Sequence, residues 1–201
     1  MLTLDHIVVT ASDLERGVDH AEHRLNQPLL PGGRHEAMGT HNRLLSLGPD
    51  AYFEVIAIDP EGTAPDQPRW FNLDARGEGA GLTHWAARCA DLDAVLAEAP
   101  DGCGTPWELQ RGDLRWRMAV PTSGQTPFDG LFPALIEWES APPILEDTGV
   151  RLELLRLISP EADALRAALE PLMGDAPIQI AEGPSPRMEA VLSTPDGTVN
   201  L

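Results

Sequence analysis

The chain states the same pattern twice. His6 opens HIVVTASDLE and His84 opens HWAARCADLD, so each histidine is followed seven residues later by Asp-Leu and an acidic residue, Asp13-Leu14-Glu15 and Asp91-Leu92-Asp93. Each copy then offers a lone glutamate inside an apolar run, Glu54 in AYFEVIAI and Glu137 in PALIEWE, with a proline six residues further on, Pro60 and Pro143. A duplication of this kind favours one supersecondary unit copied and slightly edited, giving two similar halves that share one site. Two histidines and two glutamates at matched places suggest metal ligation.

The unit itself can be read from local signals. LTLDHIVVT is a β-branched run ending at Ser12-Asp13, both good helix N-caps, and residues 13–26 carry Leu14, Val18, Ala21 and Leu25 at helical spacing. The helix breaks at Pro28 and Pro31-Gly32-Gly33, and three extended segments follow: GRHEAMG, THNRLLSLG and AYFEVIAI. The order is βαβββ over residues 1–60. Residues 61–80, rich in Pro, Gly, Asp and Arg, read as a linker, and 81–143 repeat the βαβββ order from GLTHWAARC to PALIEWES. The stretch 150–201 has strand, helix and two or three further strands. It places Leu152 where a histidine would stand, so it reads as a partial βαββ-like module that extends or caps the sheet without adding a ligand. The expected class is α+β: paired βαβββ modules forming a cupped mixed sheet with helices outside, plus this tail.

Charge and composition exclude some partners. With 14 basic against 32 acidic residues the net charge is −18, which repels phosphate backbones and anionic membranes, so neither nucleic acid nor membrane is expected. Cys89 and Cys103 are too few for a disulfide framework and lack zinc-site spacing, which fits a reducing cytoplasmic setting. No apolar stretch reaches the roughly 18 residues of a membrane span, and no leader-like segment opens the chain.

Alternation puts His6 on one strand face with Leu4, Val8 and Thr10, and Glu54 on one with Tyr52, Ile56 and Ile58. A carboxylate so surrounded must protonate, find a cation or bind metal. Two imidazoles and two carboxylates suit one divalent ion such as Zn, Ni, Fe, Mn or Co, with positions left open for substrate oxygens. Around them, Arg88, Arg115 and Arg117 are candidates to clamp a substrate anion; in the GTHNRL run, either His41 and Arg43 or Asn42 can face the pocket.

The LDHIVV and LTHWAA first strands, closed by YFEVIA and LIEWES, resemble the vicinal oxygen chelate superfamily. The run PGGRHEAMGTHNRLLSLG before AYFEVIAIDP resembles more specifically the glyoxalase-like domain family of bacterial proteins. The resemblance implies one metal held by His6, Glu54, His84 and Glu137, with Glu137 or Glu54 also moving a proton. It implies a lyase or isomerase acting on a small substrate with vicinal oxygens through an enediolate-like intermediate. Two other functions fit the same architecture: an Fe(II) extradiol-type dioxygenase, and a metal-free small-molecule binding protein with Trp85, Trp107, Trp116 or Trp138 against a planar ligand. Short two-module relatives complete their sites as dimers, so a homodimer is allowed for, although the added tail departs from their layout.

Overall fold

The computed structural model describes residues 1–174 and 176–201. The first module runs β1 (Thr3–Ala11), α1 (Leu14–Leu25), β2 (Leu30–His35), β3 (Thr40–Ser46) and β4 (Tyr52–Ile58). The second runs β5 (Ala80–Arg88), α2 (Leu92–Glu98), β6 (Thr105–Arg111), β7 (Leu114–Val120) and β8 (Ala134–Trp138). The repeated Asp-Leu-acidic motif is a pair of helix caps. Asp13 accepts from the Arg16 N–H and Asp91 from the Ala94 N–H, both at 2.9 Å, filling one of the orphan donors at each helix start.

The eight strands of the two modules form one sheet in the order β2-β3-β4-β1-β5-β8-β7-β6. β1 and β5 lie antiparallel at its centre, and each pairs in parallel with the last strand of its own module. One face packs on the helices through Ile7, Val9, Phe53, Val55, Trp85, Ala87 and Leu135. The other is concave and lined by Val8, Ile56, Ala86, Trp116, Met118 and Ile136. The sheet curls far enough for its two edge strands, β2 and β6, to come into contact.

Two local features depart from the sequence reading. Pro31-Gly32-Gly33, read as a break, lies inside β2, where the pairing register with β3 slips between Pro31 and Arg34. The segment 61–80 does more than join the modules. Its 3-10 turn Trp70–Ala75 buries Trp70, Phe71 and Leu73 in the concave face, with Phe71 and Asn72 held at positive φ of 56° and 50°.

The C-terminal stretch supplies β9 (Arg151–Ser159), α3 (Ala162–Leu169), β10 (Ile178–Glu182), β11 (Arg187–Thr194) and β12 (Gly197–Asn200). These strands form a separate four-stranded sheet, β10-β9-β11-β12, instead of lengthening the first. It caps the molecule by sharing Leu155, Leu157, Leu165, Ala190 and Leu192 with the helix-side core and by packing β11 against β5. No helix among the described residues is long and apolar enough to cross a membrane.

Candidate active site

β1 carries the centre of the site. Its pairing with β5 slips between Leu4 and His6, leaving Asp5 as the extra residue of a bulge. A bulge re-aims side chains that strict alternation would send to opposite faces. Asp5 therefore lies beside its neighbour, and its Oδ1 accepts from His6 Nδ1 at 2.7 Å. The other ring nitrogen, His6 Nε2, stands 3.4 Å from Glu54 Oε2, long for a hydrogen bond. The result is a buried carboxylate–imidazole–carboxylate row. Tyr52 stacks on the imidazole with ring centroids 4.5 Å apart, and Trp138 Nε1 donates to the far oxygen of Asp5 at 2.9 Å.

The charges in this row follow from its contacts. Burial alone would lower the His6 pKa, but the Asp5 hydrogen bond and the Glu54 carboxylate outweigh it and raise it to about 9. Burial likewise would raise Glu54, yet the His6 imidazolium and the Asn42 amide bring it down to about 2. Asp5, also buried, is lowered chiefly by His6. One cation is thus held between two anions near neutral pH.

The remaining polar groups come from strands at the two edges of the sheet. Asn42 Oδ1 accepts from the Gly33 N–H at 2.8 Å and from Arg111 at 3.2 Å, so its Nδ2 is turned to donate to Glu54 Oε1 at 2.6 Å. The double glycine makes this possible. A Cβ on Gly32 would sit 2.1 Å from Asn42 Oδ1, and one on Gly33 would sit 2.6 Å from Arg111 Cδ. Arg111, at the end of β6, crosses where the sheet edges meet and donates to His35 Nε2 at 3.1 Å. His35 is neutral, since burial pushes its pKa down to about 4. Trp70, Phe71, Trp116, Met118 and Ile136 close a cavity of about 40 Å³ around these groups. That is room for roughly three water-sized atoms.

The structure brings together only two of the four expected ligands. His6 and Glu54 meet. His84 shares the concave face but stands beyond Phe71, whose ring centroid lies 6.5 Å from His6 and 5.4 Å from His84. Glu137 is on the opposite face, where its Oε2 accepts from the Leu92 N–H at the start of α2 and pairs with Arg117 at 3.1 Å. The ladders explain this displacement: Val8 lies opposite Glu54 and Ala86 opposite Ala134, so the register counterpart of Glu54 is Ala134, and Glu137, an odd number of residues along, points away.

The other candidates divide in the same way. Of the GTHNRL run, Asn42 faces the cavity, while His41 and Arg43, its neighbours on β3, face away. Arg115 is exposed and Arg117 pairs with Asp93 and Glu137 on the helix side. Arg88 lies behind the site, 3.9 Å from Asp5, and donates to Thr3 Oγ1. Asp5, His35 and Arg111 were missed. His35 is legible in hindsight as the partner of Thr40 across the β2–β3 hairpin, on the face of Asn42. Nothing local announces Asp5 or Arg111, because one depends on a bulge and the other on sheet curl.

The donors present do not fit the divalent ion that the resemblance implies. Two of the four ligands are elsewhere, and the groups added beside Glu54 are an arginine and an amide N–H, which repel a cation. Among the described residues no three His, Cys, Asp or Glu side chains gather as a metal set.

The chain belongs to the Glyoxalase-like domain family, whose model matches residues 4–173. No curated protein matches it. Among solved structures it is similar to a hypothetical protein from Staphylococcus aureus, 14% identical, covering 93% of this chain and 88% of that one with a TM-score of 0.65. It is less similar to methylmalonyl-CoA epimerase from Mycobacterium tuberculosis, 19% identical, covering 69% of this chain and 88% of that one at TM-score 0.44. The Streptomyces coelicolor methylmalonyl-CoA epimerase in complex with 2-nitronate-propionyl-CoA is 21% identical, covering 71% of this chain and 100% of that one at TM-score 0.45. The Staphylococcus aureus likeness shows the fold alone.

Proposed function

We propose that the protein is an isomerase that moves a proton between carbon atoms of a small substrate with vicinal oxygens, using the Asp5–His6–Glu54 row as its acid and base. The supporting observation is the long 3.4 Å gap between His6 Nε2 and Glu54 Oε2 inside a water-sized cavity. A substrate carbonyl oxygen accepting from His6 Nε2 takes the place of Glu54 on the imidazolium. Glu54, still buried, then loses the contact that lowers its pKa, and burial makes it the stronger base. It removes a proton from the carbon next to the carbonyl; the C–H electron pair forms the enediolate double bond, and the carbonyl π pair moves onto oxygen. His6, held cationic by Asp5, and Arg111 stabilise that oxyanion. Return of the proton from Glu54 to the former carbonyl carbon, with His6 giving its Nε2 proton to the oxyanion and taking the proton of the neighbouring hydroxyl as that oxygen becomes the new carbonyl, completes an isomerisation.

The small cavity admits the reacting end of the substrate, with the remainder directed past Trp116 and Trp138. Asn42 keeps Glu54 aimed and His35 anchors Arg111. Neither the metal-bound enediolate nor the Fe(II) dioxygenase reading is supported by this donor set. The apolar ring of tryptophans favours a binding protein as a second reading, separated from the first by whether chemistry occurs.

The test is exchange of carbon-bound hydrogen in D2O, followed by proton NMR with a panel of 2-hydroxyaldehydes, 2-hydroxyketones and acyl-CoA thioesters. The expected result is exchange into at least one substrate that survives dialysis against EDTA and falls about 10²–10⁴-fold in Glu54→Gln, the range of a lost general base. Binding without exchange would establish the second reading. Exchange that vanishes with EDTA and returns with a divalent ion would overturn the metal-independent proposal.

A further inference from the structure

His84 sits at the register of His6 in the second copy, yet it takes no part in the proton-transfer row. Its Nδ1 meets Thr83 Oγ1 at 2.9 Å, and Thr83 in turn meets Thr10 Oγ1 at 2.9 Å. Its Nε2 is buried without a hydrogen-bond partner, although the residue is only 4% exposed. A buried ring nitrogen left unpaired costs about 1–3 kcal/mol and calls for an explanation.

The space in front of it supplies one. A cavity of about 290 Å³ opens between Phe71, the loop before β8 and the start of β11. Gln125 presents there a buried Oε1 that also lacks a partner. Gly130, at φ +92°, leaves the approach to both groups clear, since a Cβ there would lie 2.9 Å from His84 Nε2 and 3.1 Å from Gln125 Nε2. The walls are apolar where Phe71, Leu131 and Met188 line them. The rim carries two arginines and one aspartate, Arg76, Arg187 and Asp129. Arg187 is shared with Glu189, whereas half-buried Arg76 has no carboxylate within 4.0 Å among the described residues. In a chain of net charge −18, that guanidinium is conspicuous.

We propose that the His84 end of the cup is a second ligand site, walled off from the His6–Glu54 site by Phe71, which binds a small organic acid with a terminal hydroxyl. The hydroxyl donates to Gln125 Oε1 and accepts from His84 Nε2–H, the tautomer in which His84 Nδ1 accepts from the Thr83 hydroxyl. The hydrocarbon body lies on Phe71 and Met188, and the carboxylate meets Arg76 at the rim. The C-terminal sheet thereby acquires a role in binding, since β11 forms one wall of the chamber.

The probe is 6-hydroxyhexanoate, titrated into the full-length protein labelled with ¹⁵N at histidine. The expected result is saturable movement of the His84 imidazole signals with those of His6 unmoved. Affinity falls about tenfold or more in Arg76→Gln, the loss of one charge-assisted hydrogen bond, while the spectrum confirms that the variant is folded. Hexanoate, lacking the hydroxyl, binds at least about fivefold more weakly. Absence of saturable shifts up to about 20 mM, weaker than millimolar binding, overturns the proposal, as do shifts centred on His6 and His35 or an unchanged affinity in Arg76→Gln. Glu54→Gln binds the probe as the parent protein does, so this result stands or falls separately from the proton-transfer reading.

Discussion

The two copies of the βαβββ unit put an imidazole at the same place on the same face of one sheet and give it opposite chemistry. His6 has a carboxylate on each side and is raised to about 9; His84 has a threonine on one side and an open cavity on the other, and burial lowers it to about 4. Both histidines adjoin a bulge, Asp5 in β1 and Thr83 in β5, and in both the bulged residue hydrogen-bonds the ring Nδ1. The backbone device survived duplication. The side chains it presents diverged, and the matched position for the glutamate became Ala134. A repeat can therefore preserve a scaffold while separating the roles of its two halves, and here Phe71 from the linker marks the division.

The contrast is broken most severely by removing each imidazole in turn. His6→Leu leaves Asp5 and Glu54 buried without their shared cation, and the expected loss of stability is about 3–5 kcal/mol. His84→Leu removes an unpaired polar atom and fills similar space, so urea denaturation should show a change within about 1 kcal/mol. Equal losses in the two variants would mean that the Asp5–His6–Glu54 row does not hold a charge.

Dependence on pH sharpens the same comparison. Between about 6.5 and 9 the folded protein holds a proton on His6 that the unfolded chain has released, so this contribution is complete below 6.5 and is lost as pH rises. Between about 4 and 6.5 the unfolded chain binds a proton that folded His84 refuses, so stability falls as pH drops through that window, with His35 adding its own share. Glu54 acts lower still, stabilising above about 4.5 and losing that effect as pH falls toward 2. The sequence contains no lysine, and burial pushes Cys89 and Cys103 up to about 11 and 12, so the loss of stability between pH 6.5 and 8 is carried by His6. Over that range the stability difference between the parent and His6→Leu in urea denaturation should shrink by about 1.5 kcal/mol. A wild-type profile flat from pH 6.5 to 8 would contradict a cationic His6.

The fold was legible because it rests on signals that are local and repeated: capping aspartates, apolar alternation and turn residues. His6 and Glu54 were legible for the same reason, being placed by period-two alternation, which also set Asn42 on one face of its strand and His41 and Arg43 on the other without choosing between them. Asp5 was not, because alternation assigns it to the wrong face and only the bulge brings it back. Arg111 depends on how far the sheet curls, and Phe71 on a linker whose Pro and Gly content reads as loop. The added sheet at the C-terminus was legible as strands but not as a separate layer, since pairing partners far apart in the chain leave no local mark.

Glu137 was the most misleading residue, and it offers the mildest test. Its place in an apolar run and its proline six residues later copy Glu54, but a run of that kind does not fix register, and a shift of one residue exchanges the faces of a strand. On the helix side the carboxylate caps α2 and meets Arg117, work that needs charge but not reactivity. Glu137→Gln should cost about 1 kcal/mol or less, as expected for a partly exposed ion pair and a weakened helix start, and leave D2O exchange within about twofold of the parent. Glu54→Gln, an isosteric change in the other copy, should instead lower exchange about 10²–10⁴-fold. A Glu137→Gln variant that lost exchange while keeping its stability would require the two faces of β8 to be read the other way round, and with them the assignment of acid and base to the first module.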